Sequence, residues 1–304
     1  TLRLADSSNS HLLVGAPPTA TEADEKPASL SVLACVNEHY ELVPTAPRLE
    51  RIREMLVAEP VGISTDTTHR PTLEQLELSG QCSRGEVREA LKRYRAVEMD
   101  GWCTLDPQFE RDLCMQLISF VTESSMSLDS VDVLNCVGAL EENWDAVSVR
   151  HCLRNLSTSA SASASLDEWD AALYASKLTL DARAISRVYA QCILAEARAW
   201  PLADFFEAWQ EMLPVGIETE RSDLDGIAIF TADGKVRELN VEGLPLVTAA
   251  RFKVLFGAKP RWTMNELTPY IAELLPPGKT AEALVLLHAR ALLEDGTRFY
   301  IARA

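Results

Sequence analysis

The chain contains the same strand-to-helix junction twice. The stretch CTLDPQFERDL begins at Cys103, and LTLDARAISRV begins at Leu178, 75 positions later. In each, a short β-prone run ends in Thr-Leu-Asp and an amphipathic helical pattern follows. An aspartate at that point can accept hydrogen bonds from the first backbone N–H groups of the helix. Because a tripeptide also recurs by chance, the surrounding pattern must decide whether the junction marks a repeated unit.

The segment before the first junction predicts three helices and a hairpin. A helical period of 3.6 begins at Pro47, and the third helix opens with Ser83 and Glu86 as a capping box. The stretch VEMDGWCTLD then reverses at Asp100-Gly101. Three helices followed by a β-hairpin are typical of a winged helix, which we place at residues 47–106.

The same order recurs after each junction. Residues 107–180 predict three helices and a strand, ALYASKLTLD, and residues 181–244 predict two helices and the hairpin GIAIFTADGKVREL. A last set of helices is expected near 247–257, 263–275 and 280–293, before the strand RFYIA. We therefore predict a string of small winged-helix units at 47–106, 107–180 and 181–304, the last being one unit or two (181–244 and 245–304). The low-complexity segment STSASASASLDEWD, 157–170, is an insertion to which the sequence assigns no role.

Residues 1–46 carry β-strand patterns. Leucines and valines alternate on both sides of the polar stretch ADSSNS, and SLSVLACV is a second apolar run. Two or three strands do not form a stable sheet alone, so this piece needs strands from upstream, from another chain, or from both. The start at Thr1 without a methionine agrees with an upstream segment. The candidate partner-binding residues are Leu2, Leu4, Leu12, Val14, Val32 and Leu33.

The charge is unevenly distributed. The chain carries 45 acidic and 29 basic residues, a net charge of −16, which on average repels nucleic acid. Basic groups outnumber acidic ones only in residues 44–95 and 245–304. The centre is strongly acidic, which argues against one continuous DNA track along the first three units and favours protein contact there.

The two basic regions supply the candidate DNA-binding residues. In the third helix of the first unit, four cations recur at i, i+4, i+8 and i+11 and form one stripe: Arg84, Arg88, Lys92 and Arg95. The third helix of a winged helix is the element that enters a DNA groove, and cations there neutralise phosphates. The alternative is an ordinary solvated helix face. The second set lies in the last unit: Arg251, Lys253, Lys259, Arg261, Lys279, Arg290 and Arg298.

No catalytic constellation is recognisable. Gly278-Lys279-Thr280 holds only the end of a phosphate loop and more simply caps the next helix through Thr280. His151 and Cys152 are adjacent on one helix and point to different faces, so they cannot chelate one metal together. The seven cysteines form no C-x-x-C pair and are expected as small core residues in a reducing compartment. No apolar run approaches the roughly 20 residues of a membrane span. We expect no enzyme, no cofactor and no metal.

Several stretches, in this order, resemble the Defective in Sister Chromatid Cohesion family. They are LRLADSSNSHLLV, YELVPTAPRLERIREML, GWCTLDPQFERDL, FFEAWQEMLPVGI and RWTMNELTPYIAELL, and ADSSN and PYIAEL are the most specific. The resemblance covers most of the 304 residues. Family members are subunits of the cohesion-specific, replication factor C-like alternative clamp loader.

The resemblance implies a fold and a set of partners. Residues 1–46 would form a partial β-barrel, completed by two chromosome transmission fidelity subunits: the small subunit and the C-terminal tail of the large ATPase subunit. The winged helices would bind DNA and the catalytic subunit of DNA polymerase epsilon, in support of loading and unloading of the sliding clamp PCNA. The expected fold class is α+β, mainly α, and the expected location is the nucleus. The alternative is a winged-helix scaffold subunit of another nuclear complex with protein contacts only.

Overall fold

A computed structural model of the chain describes residues 2–15, 31–42, 47–62, 69–161, 164–275, 278–294 and 296–303. The chain divides into two compact units, Thr1–Ala46 and Pro47–Ala304. The larger unit is mainly helical with several small sheets, so the α+β, mainly α class is confirmed. Within the described ranges, no helix combines the length and the apolar character needed to cross a membrane.

The first unit contains two antiparallel strands, β1 (Leu2–Gly15) and β2 (Ser31–Leu42). The polar stretch ADSSNS, which the sequence places between two β-prone runs, lies inside β1. The strand continues through it as a bulge, because the register moves from Asp6 opposite Glu38 to His11 opposite Val36. The side chains of these strands, including all six partner-binding candidates, lie outside the described residues.

The second unit begins with the three helices and the hairpin that the sequence predicts. Asp100 and Gly101 both have positive φ, as a tight reversal requires, and a Cβ on Gly101 would lie 2.7 Å from the Cβ of Arg70. The elements of this first segment are α1 (Leu49–Val57), α2 (Leu73–Gly80), α3 (Arg84–Arg93), β3 (Val97–Glu98) and β4 (Trp102–Cys103).

The second segment, 107–180, also has three predicted helices, but its sheet differs from a simple hairpin. The strand after the first helix pairs antiparallel with the strand that ends the segment, so Val131 lies opposite Leu178. A further short helix begins inside the predicted insertion and ends two residues beyond it. The elements are α4 (Pro107–Glu123), β5 (Val131–Asp132), α5 (Val133–Leu140), α6 (Ala146–Leu156), α7 (Leu166–Ala172) and β6 (Lys177–Leu178).

The third segment, 181–244, carries a three-stranded sheet in the order β7-β9-β8. Between its second helix and the hairpin, the described chain forms a single 3-10 turn, Arg221–Leu224, where a third helix would be expected. The elements are α8 (Ala182–Glu196), β7 (Trp200–Pro201), α9 (Leu202–Met212), β8 (Ala228–Phe230) and β9 (Lys235–Glu238).

The fourth segment, 245–304, repeats that strand order as β10-β12-β11. The predicted third helix over 280–293 was wrong in its second half, where the chain turns into a strand that pairs with the last one. An apolar run of this length does not by itself distinguish helix from strand. The elements are α10 (Thr248–Ala258), β10 (Arg261–Trp262), α11 (Met264–Ile271), α12 (Ala281–His288), β11 (Ala289–Glu294) and β12 (Thr297–Ala302).

Both junction aspartates are helix caps, as the sequence predicts. The carboxylate of Asp106 accepts hydrogen bonds from the backbone N–H groups of Gln108 and Phe109 at 3.0 and 3.1 Å. Asp181 accepts one from Arg183 at 2.9 Å. Each aspartate stands at the boundary between two segments. Its carboxylate starts the next helix because it accepts hydrogen bonds from backbone N–H groups that the first helical turn leaves without partners.

The segments do not each have a separate core. The helices of the first segment form one core and the fourth segment forms another, which also includes Ile229 of the third. One continuous core joins the second and third segments, with α4 packed on α8, and it also includes Val97 and Cys103 of the first hairpin. The core of the first segment also takes in Trp169 from the predicted insertion. The picture of separate small units therefore holds for the order of elements along the chain and not for their packing.

Candidate nucleic-acid interface

Helix α3 is built as the sequence predicts. Ser83 accepts a hydrogen bond from the backbone N–H of Glu86, and Glu86 accepts one from the backbone N–H of Ser83, which completes the capping box. Val87, Ala90 and Leu91 are buried and form the core face. The basic stripe lies on the rest of the helix surface.

An acidic helix from the second segment covers the middle of this stripe. Arg88 donates a hydrogen bond to Asp170 and lies 3.6 Å from Asp167, and Lys92 donates one to the carbonyl of Ala164. The hydrogen bond to Asp170 raises the pKa of Arg88 above its usual value. The cations at the centre of the predicted DNA face are thus already bound to α7 and the residues just before it.

Helix α7 is anchored by a tryptophan. Trp169 is 2% exposed and lies in the core of the first segment. The guanidinium of Arg154 lies over its ring at 3.7 Å from the centroid, and burial lowers the pKa of Arg154 to about 10. Because a large buried ring holds α7 in place, the cover on α3 is part of the folded structure.

The two ends of the stripe have different surroundings. Arg84 is exposed and lies 3.5 Å from Glu77. Arg95 follows the helix in a left-handed conformation, with φ of 49°, and lies 3.7 Å from both Glu110 and Glu242. Glu242 raises the pKa of Arg95 above its usual value. The four cations therefore do not form one open surface.

Arg251, predicted as a surface cation, is fully buried in the structure. Its side chain forms an ion pair with Glu273 and donates hydrogen bonds to the carbonyls of Pro245, Tyr270 and Leu244 at 2.6, 2.8 and 3.2 Å. Burial lowers the pKa of Arg251, and the predicted DNA contact is corrected to a structural role in the fourth core.

The outer face of the last sheet carries two arginines in one row. Ile301 lies opposite Arg261 on one side and opposite Arg290 on the other, so the three side chains share a face. Trp262 and Tyr300 occupy the next row, on the buried face. Arg261 pairs with Glu294 at 2.6 Å, and Arg290 is exposed, with no ion pair among the residues that the structure describes.

The remaining candidates of the fourth segment divide into paired and unpaired cations. Lys259 pairs with Glu266 and Arg298 with Glu282, each at 2.6 Å. Lys253 and Lys279 are exposed and lack an acidic partner within the described ranges. The three unpaired candidates of this segment are therefore Lys253, Lys279 and Arg290.

Two features that the sequence treated as non-catalytic have structural roles. Thr280 accepts a hydrogen bond from the backbone N–H of Ala283, so it caps α12 as predicted. His151 is fully buried, with its ring nitrogens 2.8 Å from Arg154 and 3.0 Å from Asn155. Desolvation lowers the pKa of His151 well below its usual value. In the described part of the chain, no group of histidine, cysteine, aspartate and glutamate side chains has the geometry of a metal site.

The sequence missed the partners of the α3 stripe. Asp167, Trp169 and Asp170 stand in a segment that reads as low-complexity and then acidic, and nothing local connects them to a helix more than 70 positions earlier. The one available signal was the WD pair beside a run of small residues, since a tryptophan is rarely placed in a solvated linker.

The fold and the comparisons with known proteins define the class of the molecule. It is a mainly helical protein of successive helix-and-hairpin segments, preceded by a two-stranded piece. The family model "Sister chromatid cohesion protein Dcc1" matches residues 1–271. The chain therefore belongs to the Dcc1 family of sister chromatid cohesion proteins.

Curated relatives agree over almost the whole chain. The protein is 30% identical to the sister chromatid cohesion protein DCC1 of Danio rerio, over 99% of this chain and 79% of that protein. It is 28% identical to the Mus musculus protein of the same name and 25% identical to that of Homo sapiens. Those matches also cover 99% of this chain, with 77% and 78% of the relatives. The family is named for cohesion and not for a catalysed reaction.

Proposed function

We propose that this protein is a non-catalytic subunit of the cohesion-specific, replication factor C-like clamp loader in the nucleus. In this role it joins partner subunits, DNA and DNA polymerase epsilon while the sliding clamp PCNA is loaded or unloaded. Membership of a cohesion family supports the process. The strand order shared by the last two segments is the observation that supports a winged-helix architecture.

We infer that the four segments are winged helices. In the third segment, β9 lies between β7 and β8 and pairs with both. In the fourth segment, β12 lies between β10 and β11 in the same way. Such a small sheet beside a helical core supports winged helices at 181–244 and 245–304. Segments one and two have the helices and a smaller sheet, and the third segment has a 3-10 turn in the place of one helix.

The N-terminal unit is proposed to bind the two chromosome transmission fidelity subunits. Two antiparallel strands are marginal as an isolated sheet, so further strands are needed to complete a barrel. We expect the amides of residues 1–46 to exchange hydrogen rapidly in the chain alone and slowly after co-expression with both partners. Equal protection in the two samples contradicts this part of the proposal.

DNA contact is assigned to the fourth segment. Lys253, Lys279 and Arg290 are exposed and unpaired in the described structure. Arg261 shares a row with Arg290, since both lie opposite Ile301. Surface pairs such as Arg261 with Glu294 contribute little, so a phosphate can replace the carboxylate.

The test is fluorescence anisotropy with labelled DNA at low salt. The double variant Lys253→Glu/Arg290→Glu is expected to weaken binding by about tenfold or more, because each side chain loses a phosphate contact and gains a repulsion. Arg84→Glu is the control, since Arg84 is also an exposed cation and lies in the first segment. Unchanged affinity in the double variant overturns the assignment.

Polymerase epsilon is proposed to bind the first three segments. These segments are acidic overall, which disfavours DNA, and they expose large apolar side chains. Leu78 is 81% exposed and Tyr174 is 83% exposed. Pull-down with the catalytic subunit should fail for Leu78→Asp or for Tyr174→Asp, with DNA binding unchanged. The alternative, a scaffold of another nuclear complex, is favoured if neither DNA nor the polymerase binds.

A further inference from the structure

A cavity of about 510 Å³ lies where the first three segments meet. This volume is within the range of small-molecule sites. Arginines from different segments line it together with apolar groups, with Tyr94 and with Asn155. The residues on which the inference rests are Arg53, Tyr94, Arg95, Glu110, Asn155 and Arg187.

Arg95 reaches the cavity through an unfavourable backbone. Its φ of 49° is left-handed, which is uncommon for a residue with a side chain. Glu110 and Glu242 lie 3.7 Å away, beyond hydrogen-bond distance, and the guanidinium makes no hydrogen bond to any described residue. Its side chain is 42% exposed, so its N–H donors are available to a molecule that enters from solvent.

Two other arginines of the cavity, unlike Arg95, have no carboxylate partner in the described structure. Arg53 donates to the carbonyl of Leu244 at 2.7 Å, and Arg187 donates to the carbonyls of Asp223 and Asp225 at 2.6 and 2.9 Å. Burial lowers the pKa of Arg187, and Arg95 lowers it further by repulsion. Positive charge is therefore incompletely balanced here.

The charges of all the lining residues together also favour an anionic ligand. Four arginines face three glutamates, counting Arg111, Glu238 and Glu242, and burial raises the pKa of Glu110, which favours its neutral form. The chain as a whole has the opposite sign, with a net charge of −16.

Two polar atoms of residues that line the cavity, both buried beneath its surface, also lack partners in the described part of the chain. The Tyr94 hydroxyl and Asn155 Oδ1 are buried without a hydrogen bond to described residues. The hydroxyl can donate to an anion, and the amide oxygen can accept from an O–H or N–H group.

We propose that this cavity binds a small molecule through an oxyanion, either a phosphoryl or a carboxylate group. Arg53, Arg95 and Arg187 hold the oxyanion. Rotation of the buried Tyr94 and Asn155 side chains toward the cavity lets the Tyr94 hydroxyl donate to the oxyanion and Asn155 Oδ1 accept from a hydroxyl or amine on the same molecule. Because these side chains come from three segments, the ligand stabilises their arrangement.

The test is thermal unfolding of the full chain with added inorganic phosphate, pyrophosphate or citrate. A ligand at about ten times its dissociation constant is expected to raise the melting temperature by about 3 °C, and the effect should saturate. Phosphate or pyrophosphate acting alone identifies a phosphoryl ligand, and citrate acting alone identifies a carboxylate ligand. A saturable shift with either supports the proposal.

Variants separate site binding from a general salt effect. Arg95→Gln should abolish the saturable shift, and Tyr94→Phe, which removes only an unpartnered hydroxyl, should weaken binding severalfold and leave folding intact. Lys253→Gln, an exposed cation away from the cavity, should behave as the wild type. Equal shifts in the wild type, Arg95→Gln and Tyr94→Phe, or no saturable shift with any probe, overturn the proposal.

Discussion

The guanidinium of Arg154 lies 3.7 Å from the centre of the Trp169 ring. Arg154 belongs to the third helix of the second segment, and the ring is buried in the core of the first. The contact therefore joins two segments through an insertion that the sequence marks only as low-complexity. It also fixes α7 against the basic stripe of α3, which decides what that stripe can bind.

Replacement of Trp169 by alanine should destabilise the protein by about 3–5 kcal/mol, because it leaves a cavity in the first core and removes the ring beneath Arg154. Urea unfolding measures the change. Tyr174→Ala is the matched control, since that ring is 83% exposed, and it should alter stability by less than about 0.5 kcal/mol. A loss below about 1 kcal/mol for Trp169→Ala would show that the ring is not an anchor.

The covered stripe of α3 should contribute nothing to DNA binding. The double variant Arg88→Gln/Lys92→Gln is expected to keep both the affinity and the salt dependence of the wild type, because those cations already contact Asp170 and the Ala164 carbonyl. In contrast, Lys253→Gln/Arg290→Gln should reduce the slope of log K against log salt by about 2. A reduced slope in the α3 variant would place phosphates on the first segment.

Arg251→Gln should cost about 3–5 kcal/mol of stability, because it leaves Glu273 and three backbone carbonyls without their charged partner in a buried place. Lys253→Gln, two positions away on the same helix and exposed, should be nearly neutral. Thermal or urea unfolding gives the comparison. Similar stabilities for the two variants would refute the structural role of Arg251.

Acidification should destabilise the fold through His151. Its pKa in the folded state is well below the unfolded value of about 6.5, so below that pH the unfolded chain binds a proton that the folded chain does not. Stability therefore falls as the pH falls. Between about pH 7.5 and about pH 5.5, the wild type should lose about 1.4 kcal/mol more than His151→Gln.

The control for this prediction is His69→Gln, since His69 is exposed. That variant should show the pH dependence of the wild type. Glu110, with its raised pKa, contributes equally to all three proteins and cancels in the comparison. Equal losses for the wild type and His151→Gln would mean that His151 is not held neutral by the fold.

Local features of the fold could be predicted from the sequence. The capping aspartates, the capping box of α3 and the Asp100-Gly101 reversal depend on residues within a few positions of each other. The sequence was less informative for apolar runs that are compatible with both a helix and a strand. In 280–293, the second half of the predicted helix is a strand. It also gave no sign of the core shared by α4 and α8.

Tertiary structure determined what each cation contacts. The sequence by itself determined that residues 84–95 and 245–304 are basic and that α3 has one polar face, because charge and helical period are local properties. It did not determine that α7 covers Arg88, that Arg251 is buried, or that Arg95 faces a cavity. Those outcomes depend on contacts between residues tens of positions apart. An arginine in the sequence does not show whether its side chain contacts water, a carboxylate or a phosphate.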